Sequence, residues 1–129
     1  MSKVLMSIKP EFVAKILTGQ KRYEFRKRKC AQEIESIVIY ETAPTKLIVA
    51  EVEVIQIVMD TPALVWERTK DAAGIDKQFF DQYYCDQKKA VAYALGNVTC
   101  YNPPRALADY GITSAPQSYI YLNEDSFTK

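Results

Sequence analysis

One α+β domain, built on a mostly antiparallel sheet or small β-barrel with flanking helices, is the fold this sequence predicts. Three observations carry that expectation. The 129 residues suffice for one sizeable core and not for two comfortable ones. Two long runs rich in β-branched residues, Ile34 to Thr42 and Lys46 to Asp60, are separated by Ala43-Pro44-Thr45, as in a hairpin-like connection. No internal repeat, low-complexity tract or linker divides residues 1–129, and short segments of helical spacing interrupt the strands.

Taken in order, Lys3 to Lys9 alternates Val4, Met6 and Ile8 against Leu5, Ser7 and Lys9, which predicts a strand. Pro10 suits the first turn of a helix whose apolar stripe is Phe12, Val13, Ile16 and Leu17, and Gly19 is a natural stop. A strand with mixed charges and aromatics follows Gly19. In the Lys46–Asp60 strand, Val52 and Val54 alternate with Glu51 and Glu53, so one face is buried and the glutamates lie on the wet one. Thr61-Pro62 opens a helix carrying Leu64, Val65 and Trp66 that ends near Gly74, and Asp76 caps another with Phe79, Phe80, Tyr83 and Tyr84 at core-packing spacing. Lys88 to Tyr101 reads as a strand pair or one bent strand broken at Gly96-Asn97. Asn102-Pro103-Pro104 reads as a loop, Arg105 to Tyr110 as a short helix, and Ser118 to Leu122 as a closing strand.

Composition excludes several functions. With no histidine, His-dependent triads and most zinc mechanisms are ruled out, and three scattered cysteines form no zinc pattern, so no metal or cofactor is expected. An odd cysteine count without pairing motifs fits a reducing compartment, and the first ten residues are too short an apolar run for a signal peptide or membrane span; the expectation is a cytoplasmic protein without membrane contact. Phosphate-loop, dinucleotide, HExxH and GxSxG motifs are all missing. The 17 basic and 16 acidic side chains leave a net charge of +1, which argues against coating a duplex by long-range attraction. Polyanion binding must use a local cluster, and one exists: Lys21, Arg22, Arg26, Lys27, Arg28 and Lys29 are opposed only by Glu24.

In a regular strand Tyr23 and Phe25 point one way while Arg22, Glu24 and Arg26 point the other. Lys21 then has the wrong parity to meet Glu24 and Arg26, unless it still belongs to the turn after Gly19. Ser7 and Lys9 share a face of the first strand and can line the same cleft from its other side. Each feature has a plainer reading: a solvated basic strand end, a structural Glu24–Arg26 ion pair, an exposed Lys9.

The run Gly19-x-Lys21-x-x-Glu24-x-Arg26 resembles the GxKxxExR signature of the ASCH domain, a branch of the PUA-like superfamily. The setting is similar too: Ser7-Ile8-Lys9-Pro10, a short helix, the signature, then a strand ending Ile39-Tyr40-Glu41-Thr42. The likeness covers Val4 to Leu122 and is nearest to small stand-alone prokaryotic members described as predicted transcriptional regulators. It implies a small barrel, a cleft beside the signature, and nucleic acid, mostly RNA, as ligand.

The binding residues expected on this basis are Ser7, Lys9, Lys21, Glu24, Arg26 and Tyr40. Lysine and arginine donate to phosphate or a base edge, Glu24 orients Arg26 or accepts from a base amino group or ribose hydroxyl, and Tyr40 (with Tyr119) offers a stacking face, against the plainer reading of a half-buried strand tyrosine. The expected partner is RNA, another single-stranded nucleic acid or a nucleotide-sized ligand, held in a compact pocket with a shallow salt dependence. The alternative is metal-independent hydrolysis of RNA or of N4-acetylcytidine, with Lys21 and Glu24 as catalytic candidates. Amidohydrolase relatives carry a threonine where this chain has Glu24; Ser7, Thr42 or Ser118 would have to supply the hydroxyl.

Overall fold

The computed structural model of this chain describes residues 1–122. Strand β1 (Ser2–Ile8) leads through α1 (Pro10–Thr18) to β2 (Tyr23–Arg26), β3 (Ile34–Glu41) and β4 (Leu47–Asp60); α2 (Pro62–Thr69) and α3 (Lys77–Tyr83) precede β5 (Ala90–Arg105) and β6 (Tyr119–Leu122). The six strands form one sheet in the order β2-β5-β4-β3-β1-β6. Neighbours are antiparallel except β1 and β3, which run parallel, with α1 and β2 supplying the crossover such a pair needs.

The α+β class is as expected, but the sheet is not a closed barrel. Strands β2 and β6 are its edges, and no ladder joins them among the described residues. Strand β2 is only four residues long, all of them paired to β5, and the chain bends away at Lys27 and Arg28. The sheet nonetheless curls enough for one side chain to span the gap. Arg26, at the end of β2, donates Nη2 to the Ser7 carbonyl on β1 (3.4 Å) and Nη1 to Ser118 Oγ, next to β6 (3.2 Å).

Inside the curl, Val4, Met6 and Ile8 of β1 pack with Ile37, Ile39, Val52 and Tyr93, and α1 closes this core with Val13 and Ile16. Pro10 at the helix start and Gly19 in the left-handed region (φ 85°) bound α1 as expected. On the opposite face of the sheet Leu5, Val38, Tyr40 and Ile48 pack under Tyr110. A third cluster joins β2 to the helices: Phe25, Val58, Val65, Phe80 and Tyr84, with Trp66 against Phe80 (centroids 5.0 Å apart). The expected Asp76 cap forms, accepting from Phe79 N (2.8 Å), and Thr61 also caps its helix, accepting from Leu64 N (3.4 Å).

Of the two readings of Lys88–Tyr101, the single strand holds: β5 covers Ala90–Arg105, and its register with β4 shifts at Gly96-Asn97, between the Leu95–Val54 and Val98–Val52 pairs, where a Cβ on Gly96 would sit 2.5 Å from Glu53 Oε1. Two local expectations are corrected. Asn102-Pro103-Pro104 is not a free loop but the far part of β5, in an irregularity between the Cys100–Ala50 and Arg105–Ile48 pairs. Prolines fit there because β2 pairs only residues 91–94 of β5, leaving that far end with no partner strand on its second side among the described residues. Glu51, expected on a wet face, is half-buried and accepts from Ser36 Oγ, Lys3 Nζ (3.0 Å) and Tyr101 OH (3.0 Å). Burial pushes its carboxyl up, but those donors together hold it below the usual carboxylate range.

Candidate functional site

The turn after α1 resolves the parity problem. Strand β2 begins at Tyr23, so Lys21 lies before it; its N–H donates to Lys15 O (3.0 Å) and Arg22 N donates to Ala72 O (2.8 Å). Freed from strand alternation, Lys21 turns inward to the same hollow as Glu24 and Arg26. That hollow is a cavity of about 220 Å3, lined by Ser7, Lys9, Lys21, Glu24 and Arg26 together with Phe12, Phe25, Ile75, Phe79 and Tyr83. Two chain segments, β1–α1 and the signature turn, supply its polar groups, and α3 supplies much of its aromatic wall.

Lys21 forms the floor. It is 4% exposed, its ammonium donates to Ala73 O (3.0 Å) and lies over the rings of Phe25 (4.7 Å) and Phe12 (5.5 Å). Desolvation lowers its pKa from 10.5 to about 8; the Glu24 charge opposes this, while Lys15 and Arg26 reinforce it. The backbone from Ala72 to Gly74 positions the whole turn, because Gly74 O also accepts from Lys15 Nζ (2.9 Å). Gly74 has φ 74°, and a Cβ there would lie 2.5 Å from Lys21 Cβ. By sequence Gly74 is only a helix stop; the left-handed turn and the lysine packed on it are what make it a site residue.

Glu24 is 7% exposed and holds Arg26 through Oε2–Nη2 (3.0 Å). Arg26 is thereby fixed by three acceptors, the Glu24 carboxylate, Ser7 O and Ser118 Oγ, while its buried Nε finds no acceptor among the described residues. Lys9 is exposed at the cavity mouth, at the cap of α1. Ser7 contributes its carbonyl to the site; its hydroxyl donates to Pro116 O (2.6 Å) and is not a free nucleophile.

Five of the six expected residues therefore meet at one hollow. Tyr40 does not. It is 6% exposed and packs with Leu5, Val38, Ile48, Tyr110 and Leu122 on the other face of the sheet, because β3 alternation that aims Ile37 and Ile39 inward aims Tyr40 away. Tyr119 is half-buried beside Arg26 and Lys27 in a neighbouring depression. The aromatic helix stripe splits in two: Phe80 and Tyr84 are core, as expected, whereas Phe79 and Tyr83 line the cavity. Thr42 lies outside the cavity lining, and Ser118 Oγ is engaged by Arg26.

A curled, open six-stranded sheet with a charged signature at its seam defines a class of small mixed α+β domains. The ASCH domain model matches residues 6–104, and this chain belongs to that family. A crystal structure of ASCH from Zymomonas mobilis superposes with a TM-score of 0.87 at 26% identity, covering 96% of this chain and 90% of that one. Over 94 residues the chain is 30% identical to an ASCH domain-containing ribonuclease of Zymomonas mobilis subsp. mobilis, covering 72% of this chain and 64% of the ribonuclease. It is also 26% identical over 103 residues to a large ribosomal subunit protein uL22 of Ureaplasma parvum serovar 3, spanning 80% of this chain but only 33% of that longer protein. No described helix is long and apolar enough to cross a membrane.

Proposed function

We propose that this chain, read as one ASCH/PUA-like domain over residues 1–129, binds single-stranded RNA by lodging one unpaired nucleotide in the cavity at the sheet seam. The observation that carries the reading is Lys21, an ammonium held at the floor of an aromatic-walled hollow where burial works against its charge. Such a lysine is a poor choice for stability and a good one for gripping a ligand oxygen. In this reading Phe12, Phe79 and Tyr83 flank the base, Lys21 donates to a base or phosphate oxygen, Glu24 accepts from an amino group or ribose hydroxyl, and Lys9 meets a phosphate at the mouth. Any regulatory role would act through this binding, and the unpaired Cys30, Cys85 and Cys100 suit a cytoplasmic setting.

A second reading, metal-independent RNA cleavage, draws on the same lysine and on the likeness to the ASCH domain-containing ribonuclease. In it Glu24 takes the proton of the ribose hydroxyl as general base, while Lys21, with a pKa of about 8 and so roughly nine-tenths charged at pH 7, stabilises the developing phosphorane. Acetylcytidine hydrolysis is less well supported, since Ser7, the candidate hydroxyl among the lining residues, is already committed to Pro116. The deciding experiment incubates the protein without added metal with labelled single-stranded RNA and, separately, with N4-acetylcytidine. Binding of the RNA with no turnover of either is the expected result. RNA turnover that disappears in Glu24→Gln would move the assignment to the hydrolase.

A further inference from the structure

A second depression, about 400 Å3, opens beside the cavity and is not used by the reading above. Arg26, Lys27, Arg28 and Lys29 line it in one run, together with Ser118 and Tyr119, and among the described residues no carboxylate joins that lining. The two hollows share Arg26 and Tyr83, so the guanidinium that closes the sheet seam is also the wall between them. Lys27 stands over the Tyr83 ring at 5.0 Å, and Lys27, Arg28 and Lys29 are all exposed. The buried Arg26 Nε, which has no acceptor among the described residues, is one donor left over within this wall.

The chemistry of the two hollows differs. The cavity mixes both signs of charge with aromatic faces, as a heterocyclic base requires. Among the described residues the depression carries charge of one sign only, four cations with the Ser118 and Tyr119 hydroxyls beside a partly apolar base of Met6, Cys30, Ala31 and the Tyr83 ring, which suits a ligand that presents a row of phosphates. Resting on the nucleotide-pocket reading, we infer that this basic depression carries the phosphodiester backbone next to the lodged nucleotide, so that the ligand is a single-stranded polynucleotide and not a free nucleoside. A polyglutamate would match the cations but has no aromatic group for the cavity that shares their wall.

The test compares the wild type with the double variant Arg28→Ala/Lys29→Ala. Binding of a labelled single-stranded RNA pentamer is measured by fluorescence anisotropy at several salt concentrations. Nucleoside binding is followed by NMR shifts of the cavity residues. The pentamer should bind the wild type at least about tenfold more tightly than any nucleoside. In the variant the log–log salt slope should become shallower by about 1.4, at roughly 0.7 per neutralised phosphate on a single strand. Pentamer affinity should fall about tenfold while nucleoside affinity and melting temperature stay as in the wild type. An unchanged slope, or a polyglutamate of equal length displacing the pentamer as well as unlabelled RNA does, overturns the inference. If nucleosides bind and the pentamer gains nothing, the backbone track alone has failed; if neither binds the wild type, the pocket reading has failed and takes the track with it.

Discussion

Lys21 carries more of this protein's chemistry than its place in the chain suggests. Lysine belongs by default to the surface, so its position three residues before Glu24 says nothing about burial. What buries it is Gly74, fifty-three positions on, whose left-handed turn presses against its Cβ and whose neighbour Ala73 takes its proton donor. The unfolded lysine titrates near 10.5 and the folded one near 8. Between those values the unfolded chain binds more protons, so stability rises with pH across that window, by roughly 3 kcal/mol at most; below pH 8 the burden is fully present. Lys21→Met removes it. Urea denaturation at a series of pH values should find the variant at least as stable as the wild type at pH 7, with a flatter stability curve between pH 8 and 10.5. Gly74→Ala acts in the opposite sense. The strained φ and the clash with Lys21 should lower stability by about 2 kcal/mol, read by the same denaturation at constant pH.

At the scale of elements, α3 shows how one amphipathic pattern serves two purposes. Phe79, Phe80, Tyr83 and Tyr84 are evenly apolar in sequence, and nothing in their spacing separates core from cavity. The docking of α3 against β2 does: Phe80 and Phe25 pack nearly perpendicular at 5.3 Å and Tyr84 OH donates to Arg26 O (2.8 Å), while Phe79 is left 41% exposed, in T-shaped contact with Phe12 at 5.5 Å. Two substitutions on adjacent residues should therefore part company. Phe80→Ala leaves a void in the helix–sheet core and should cost about 3–4 kcal/mol in denaturant unfolding. Phe79→Ala should cost less than about 1 kcal/mol, yet weaken single-stranded RNA binding by at least fivefold in anisotropy titrations, as loss of a stacking face does. Strand β5 makes the complementary point. Its Gly96-Asn97 and double proline look like punctuation, but β4 pairs on both sides of each, so they survive as register shifts inside one strand and do not end it.

For the molecule as a whole, the decisive feature is the unclosed seam between β2 and the β1–β6 side of the sheet. Backbone pairing does not bridge it among the described residues; Arg26 does, with Glu24 holding its guanidinium in place. Cavity and basic depression lie on either side of that arginine, so fold closure and ligand site share one side chain. A lysine cannot imitate a planar fork reaching three acceptors. Arg26→Lys should lower global stability by about 2 kcal/mol. It should also raise amide exchange at Ser7, whose N–H donates to Ser118 O (3.2 Å) at the same seam, more than at Val38 in the sheet centre; native-state hydrogen exchange reads both.

Local alternation, caps and breakers determined the order and type of most elements, because each depends on neighbours a few residues away: β1, the Pro10-to-Gly19 helix, the β3–β4 pair, the Asp76 cap. The signature likewise marked Lys21, Glu24 and Arg26, and strand parity put Ser7 and Lys9 on their side. What only the tertiary structure decided were the contacts made across long separations: the open seam in place of a closed barrel, the burial of Tyr40 away from the site, the exclusion of Ser7 Oγ by Pro116, and the Gly74 turn beneath Lys21. Those depend on where distant segments come to rest, and sheet curvature and helix docking settle that through packing of the whole chain, which no short window of sequence contains.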